Sequence, residues 1–147
     1  MNDTDNLIKN LKKDFFALRN GIVADSLKQL YSKDKIIYGL TVPQFNELAK
    51  KYPHDIELGL HLWNDNKCRE NRLFALFILP PAKISKDMAK TLIRDVESIE
   101  EADLLSFKVL RNLPFAKELY QEMLSEVFTD KLQSYCMGMF KKNIDQI

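Results

Sequence analysis

Glycine is scarce in this chain, with 4 in 147 residues, and runs of β-branched residues are few. Hairpin turns draw on the first and strands on the second, so the shortage argues for helices joined by short connections. Long apolar runs are missing as well. No stretch approaches the roughly 18 consecutive apolar residues that a membrane-spanning helix needs. The opening Met1-Asn2-Asp3-Thr4-Asp5 has neither the basic nor the apolar region of a signal peptide, so the cytoplasm is the expected compartment. The only cysteines, Cys68 and Cys136, form neither a disulfide framework nor a metal-ligand spacing. His54 and His61 are too far apart for a helical metal pair, and neither has a cysteine or acidic partner completing a ligand set. Neither a metal nor any other cofactor is expected, nor a membrane partner.

What is present is a globular composition, 46% apolar and 29% charged. The net charge of +1 is uninformative, but its distribution is uneven. Residues 1–94 carry 16 Lys and Arg against 11 Asp and Glu, whereas residues 95–147 carry 6 against 10. Such asymmetry suggests an end that faces a polyanion, the competing reading being ordinary surface scatter.

Apolar residues recur at helical spacing along nearly the whole chain. Leu7, Leu11, Phe15 and Leu18 form a first stripe, with Asp5 as a cap and Gly21 as a stop. A second segment from Ile22 to Lys33 aligns Leu27, Leu30 and Tyr31. Thr41 and Gln44 read as a capping box with Pro43 in the first turn, opening a helix that buries Phe45, Leu48, Ala49 and Tyr52. The next segment aligns Ile56, Leu60 and Trp63. Residues 73–79 are apolar all round and fit either a buried strand or a central helix; their polar lead and the Pro80-Pro81 stop favour the helix. Ser85 caps a helix carrying Met88, Ala89, Leu92, Ile93 and Val96. Ser98 and Glu101 form a second capping box, opening a helix with Ile99, Ala102, Leu105 and Val109 inward. Two more helices follow, on Phe115-Leu119-Met123 and on Leu132 to Phe140. The expectation is about nine helices, starting near residues 5, 22, 42, 55, 67, 86, 99, 115 and 131. Taken in pairs they repeat every 25–37 residues or so, in the range of helical-pair solenoids. We therefore expect an all-α, HEAT-like superhelix forming one domain over residues 1–147, a globular bundle being the alternative.

Two segments go beyond generic helix chemistry. One is Tyr38-Gly39-Leu40-Thr41-Val42-Pro43 continuing to Leu48-Ala49-Lys50; the other is Leu62-Trp63 followed by Arg69-Glu70-Asn71-Arg72. In order and spacing they resemble the N-terminal half of the DNA alkylation repair enzymes, over roughly residues 10 to 115. The resemblance implies a curved stack of HEAT-like helix pairs whose basic concave face holds duplex DNA. It also implies, in some members, a glycosylase that begins base excision repair by releasing 3-methyladenine and 7-methylguanine types. In those members tryptophans and an aspartate at the groove stabilise the cationic sugar as the N-glycosidic bond breaks, an effect that favours the transition state over the ground state.

Carried onto this chain, the aspartate matches Asp103, the candidate catalytic residue. Ile99 stands where the family has an aromatic, Tyr135-Cys136-Met137-Gly138 lacks the family's arginine, and the later repeats are absent, as in a short member. A competing role for Asp103 is interaction with the N-terminal amides of its own helix. Lys67, Arg69 and Arg72, near the start of a helix, are the candidate DNA contacts, against ion pairing with Asp65 and Glu70. Trp63, the single tryptophan, is expected in the core, and Cys68 is expected to be an ordinary thiol. The reading is a DNA-binding protein with weak or lost glycosylase activity. An active glycosylase and a protein-binding helical scaffold are the alternatives.

Overall fold

The computed structural model describes residues 3–145. Nine α-helices occur among the described residues, beginning at 3, 21, 42, 56, 69, 86, 99, 116 and 131. Each start lies within two residues of its expectation. No strand occurs among the described residues; of residues 73–79, 73–78 are helical and Leu79 follows the helix, and the one extended pairing among the described residues is an isolated parallel bridge between Ile36 and Cys68. The fold is all-α. The chain forms two compact units, Met1–Ile78 and Leu79–Ile147.

In the first unit, α1 (Asp3–Leu18) turns Leu11 and Phe15 inward. Asp5 lies inside this helix rather than capping it. Gly21 opens the next helix instead of ending the first. Asn20 is the residue that separates them, its side-chain oxygen accepting from the amides of Ile22 (3.1 Å) and Val23 (3.2 Å). α2 (Gly21–Leu27) buries only Ala24. The stripe expected on Leu27, Leu30 and Tyr31 does not form, because the chain tightens into a 3₁₀ turn at Lys28–Leu30 and rotates the stripe out of phase; Leu30 is 63% exposed.

A loop returns past α2 to α3 (Val42–Ala49), whose capping box is present as expected: Gln44 Oε1 accepts from the Thr41 amide at 2.9 Å. α4 (Ile56–Asn64) is capped by Asp55 and buries Leu58, Gly59, Leu62 and Trp63, while Ile56 and Leu60 are only half-buried. α5 (Arg69–Ile78) is buried on nearly every face, which explains its apolar all-round sequence. It packs on both α3 and α4. An aromatic cluster fills the centre: Phe15 meets Phe74 edge-on at 5.9 Å, Phe45 stacks on Phe77 at 5.3 Å, and Tyr52 meets Phe74 at 5.6 Å.

In the second unit, α6 (Lys86–Arg94) is capped by Ser85, which accepts from the Met88 amide at 3.1 Å. α7 (Ile99–Leu104) is capped by Ser98, which accepts from the Glu101 amide at 3.1 Å. Glu101 Oε1 in turn accepts from the Glu97 amide at 2.9 Å. The helix widens into a π turn at Leu105–Val109 and tightens into a 3₁₀ turn at Leu110–Asn112. α8 (Ala116–Met123) and α9 (Lys131–Asp145) complete the unit, and α9 packs against α6, α7 and α8. Leu105, Val109, Leu119, Cys136 and Phe140 are fully buried here, but Ile99, expected inward, is 54% exposed. As the first residue of α7 it precedes the turn whose inner face Ala102 and Leu105 occupy.

Candidate nucleic-acid interface and acidic position

The two sequence segments that carry the family pattern meet in space and brace each other. Gly39 has φ +92°, and a Cβ there would lie 2.4 Å from the Asn20 carbonyl oxygen and 2.9 Å from the Ala24 amide. Only glycine permits both the left-handed backbone and the close approach to α2. The Glu70 carboxylate holds this turn from the other side. It is fully buried and accepts from the amides of Tyr38 (2.9 Å) and Gly39 (3.0 Å).

Arg69 completes that device. Its guanidinium donates to Glu70 Oε2 at 2.5 Å and to the Leu40 carbonyl at 3.1 Å, and its side chain is 5% exposed. Arg72 braces the second motif: it donates to the Trp63 carbonyl at 2.8 Å, and its guanidinium carbon lies 3.7 Å from the Trp63 ring centroid. Arg72 is 3% exposed and Trp63 is 1% exposed. Thus two of the three candidate DNA contacts, Arg69 and Arg72, point inward. Their charge is compensated by a buried carboxylate, backbone carbonyls and an indole face. Lys67 alone of the three is exposed. Between them, Cys68 is buried, and burial pushes its thiol up to about 11, the opposite of a reactive cysteine.

Exposed cations gather elsewhere in this unit. Lys9, Lys12 and Lys13 stand on one face of α1 and, with Phe16 and Tyr38, line an open cavity of about 550 Å³. None of the three lysines forms an ion pair with any described residue, whereas Lys28 pairs with Asp25 and Lys50 with Glu47. Phe16 is 56% exposed, and the Arg19 guanidinium lies 3.8 Å from its ring centroid. The i, i+3, i+4 spacing of Lys9, Lys12, Lys13 and Phe16 is the sequence signal for this face. It is masked by the apolar stripe of Leu11 and Phe15 on the opposite side of the same helix.

The charge asymmetry read along the sequence does not follow the fold. Residues 1–78 hold 12 Lys and Arg against 10 Asp and Glu, and residues 79–147 hold 10 against 11. The cations that made the first stretch look basic, Lys86, Lys90 and Arg94, sit one turn apart on α6. They pair with Glu118 (2.5 Å), Glu122 (3.1 and 3.3 Å) and Glu126 (2.7 Å) along α8 and its C-terminal end. That ladder neutralises within one unit what the sequence count divided in two.

Asp103 lies past the first turn of α7, half-buried, and its Oδ1 accepts from the Tyr135 hydroxyl of α9 at 2.7 Å. Its partner is therefore a phenol rather than its helix's own N-terminal amides, which Ser98 serves at Glu101. Asp103 also raises the Tyr135 pKa, chiefly through this hydrogen bond. Ile99, one turn earlier, is at the surface. Among the described residues no group of three His, Cys, Asp or Glu is placed to hold a metal ion, and no helix is long and apolar enough to cross a membrane.

No curated protein and no solved structure gives a significant match to this chain. A model of the DNA alkylation repair enzymes matches residues 11–132, a span that takes in the Tyr38-Gly39-Leu40 turn, the Trp63–Arg72 brace and Asp103. The chain belongs to the DNA alkylation repair enzyme family.

Proposed function

We propose that this protein binds duplex DNA as part of alkylation repair, and that its own excision of alkylated purines is weak or lost. The observation that carries the binding half is the trio of exposed lysines on α1, Lys9, Lys12 and Lys13, which make no ion pair with a described residue. Cations left without carboxylate partners on a single helix face are suited to phosphates, whose neutralisation releases counterions and supplies sequence-independent affinity. Lys67 is a further contact on the same unit. Arg69 and Arg72 contribute indirectly, by fixing the Tyr38–Leu40 turn and Trp63.

The excision half rests on the surroundings of Asp103. A carboxylate promotes glycosidic cleavage when its full negative charge faces the developing oxocarbenium ion. Here the Tyr135 hydroxyl donates to that carboxylate and draws off part of the charge. Ile99 supplies no aromatic face beside it. The experiment is a methylated duplex incubated with excess protein, with binding and release of 7-methylguanine and 3-methyladenine read in the same samples. The expected result is salt-sensitive binding with little or no base release. Robust release that collapses in Asp103→Asn would establish the glycosylase instead, and no binding even at low salt would favour a protein-binding scaffold.

A further inference from the structure

A helix face made only to follow phosphates needs cations and nothing else, because the bases of an intact duplex are stacked out of reach. The α1 face has more. Its lysines stand around a cavity floored by two aromatic side chains, Phe16 and Tyr38, and lined by no acidic residue. The volume of about 550 Å³ falls within the roughly 300–1,000 Å³ typical of small-molecule sites. Phe16 is 56% exposed, an unusual state for a phenylalanine beside a well-formed core. One face of its ring is occupied by the Arg19 guanidinium, which is anchored in turn by donating to the Phe16 carbonyl at 2.7 Å. An exposed ring polarised by a cation is a stacking partner for a flat π system. The Tyr38 ring is held against Phe15 at 5.9 Å, and its hydroxyl makes no hydrogen bond with a described residue.

We propose that this cavity receives one unpaired nucleotide of a nucleic-acid strand. The base stacks on Phe16, Lys9, Lys12 and Lys13 hold the flanking phosphates, and the Tyr38 hydroxyl is free to bond the base edge or sugar. The proposal rests on the reading that the α1 lysines contact phosphates, and it narrows the ligand from duplex DNA in general to duplex carrying a bulged or gapped position. The combination of stacking platform and cationic groove is the one that single-strand-binding surfaces use.

The test compares two duplexes of the same sequence, one fully paired and one carrying a single bulged 2-aminopurine, by titration with the whole protein. The expected result is affinity about tenfold higher for the bulged duplex, since stacking of one base on an aromatic side chain supplies an effect of that order. Quenching of the 2-aminopurine fluorescence should accompany it. Phe16→Ala should bring the two affinities to within about twofold and abolish the quenching, and Phe16→Trp should restore both. Phe16 is exposed, so neither variant threatens the fold. Equal affinities without quenching would overturn the proposal while leaving duplex binding in place. A bulge preference that survives Phe16→Ala would overturn it too. No binding of either duplex would overturn the proposal and the reading beneath it together.

Discussion

The Tyr135 hydroxyl of α9 donates to the Asp103 carboxylate of α7 at 2.7 Å, joining residues 32 positions apart. Asp103 raises the Tyr135 pKa, so the bond favours the protonated phenol of the folded state. Its contribution is complete below the ordinary tyrosine value of 10.0 and fades as pH rises through the higher folded value. Burial also raises Tyr38 and Tyr52, so absorbance titration should show three tyrosines ionising above the ordinary range in the wild type and one fewer in Asp103→Asn, with Tyr135 returning to it. An unchanged titration would mean that the bond does not hold in solution.

Glu70 is fully buried, with Arg69 as its charge partner and the backbone amides of Tyr38, Gly39 and Leu40 as donors. Removing one member of a buried pair leaves an uncompensated charge, at a cost of about 3–5 kcal/mol. Glu70→Gln should therefore lower stability by about that much in urea denaturation. Arg69→Met combined with Glu70→Gln should cost less than the two single losses added together. Full additivity would show that the two residues act independently.

Gly39 and Gly138 should respond to alanine in opposite directions. At Gly39 the added Cβ meets the Asn20 carbonyl oxygen at 2.4 Å with φ at +92°, and the strained backbone alone is worth about 1–3 kcal/mol. At Gly138, exposed within α9, nothing lies within 4 Å, and Gly→Ala should stabilise by roughly 0.5–1 kcal/mol. Thermal melts of the two variants should move to opposite sides of the wild type. A neutral Gly39→Ala would mean that the Tyr38–Leu40 turn is not held as described.

The ladder between α6 and α8 should make the protein acid-sensitive. Hydrogen bonds from Lys86 and then Lys90 lower the Glu122 pKa. A depressed carboxylate contributes stability above its unfolded value of 4.5 and loses it as pH falls through the folded value. Glu122 is exposed and its lysine partners are only half-buried, so the effect is screened by salt. Denaturation midpoints should fall below pH 4.5 less steeply in Glu122→Gln than in the wild type, and the difference should shrink in 1 M salt. Parallel acid profiles would contradict the ladder's role.

Local signals located the helices well. Thr41, Ser85 and Ser98 each cap a helix by a bond to an amide three residues on or the reciprocal one, which is a short-range event that the sequence displays directly. Leu27, Leu30 and Tyr31 were misplaced because a 3₁₀ turn changes the period from 3.6 to 3. The inward fate of Arg69 and Arg72 was hidden for a different reason. Their partners include the Leu40 carbonyl, 29 positions away, and the Trp63 carbonyl, so a charge that looks like surface chemistry is satisfied by the returning chain. Arg69, Glu70 and Arg72 of the family motif brace the first unit from within. Lys9, Lys12 and Lys13 match no motif, and the neighbouring aromatic groups and the lack of carboxylate partners among the described residues set them apart.

The central claim, that α1 rather than the Arg69–Arg72 segment contacts DNA, is tested most directly by salt dependence. The measurement is the slope of log affinity for a fully paired duplex against log salt, for the wild type and for a variant with Lys9, Lys12 and Lys13 all changed to alanine. Each phosphate contact contributes about 0.9 to that slope. The account predicts that the triple variant keeps its helical content and that its slope is shallower by about 2–3. An unchanged slope, or a wild type with no duplex affinity at low salt, would contradict it.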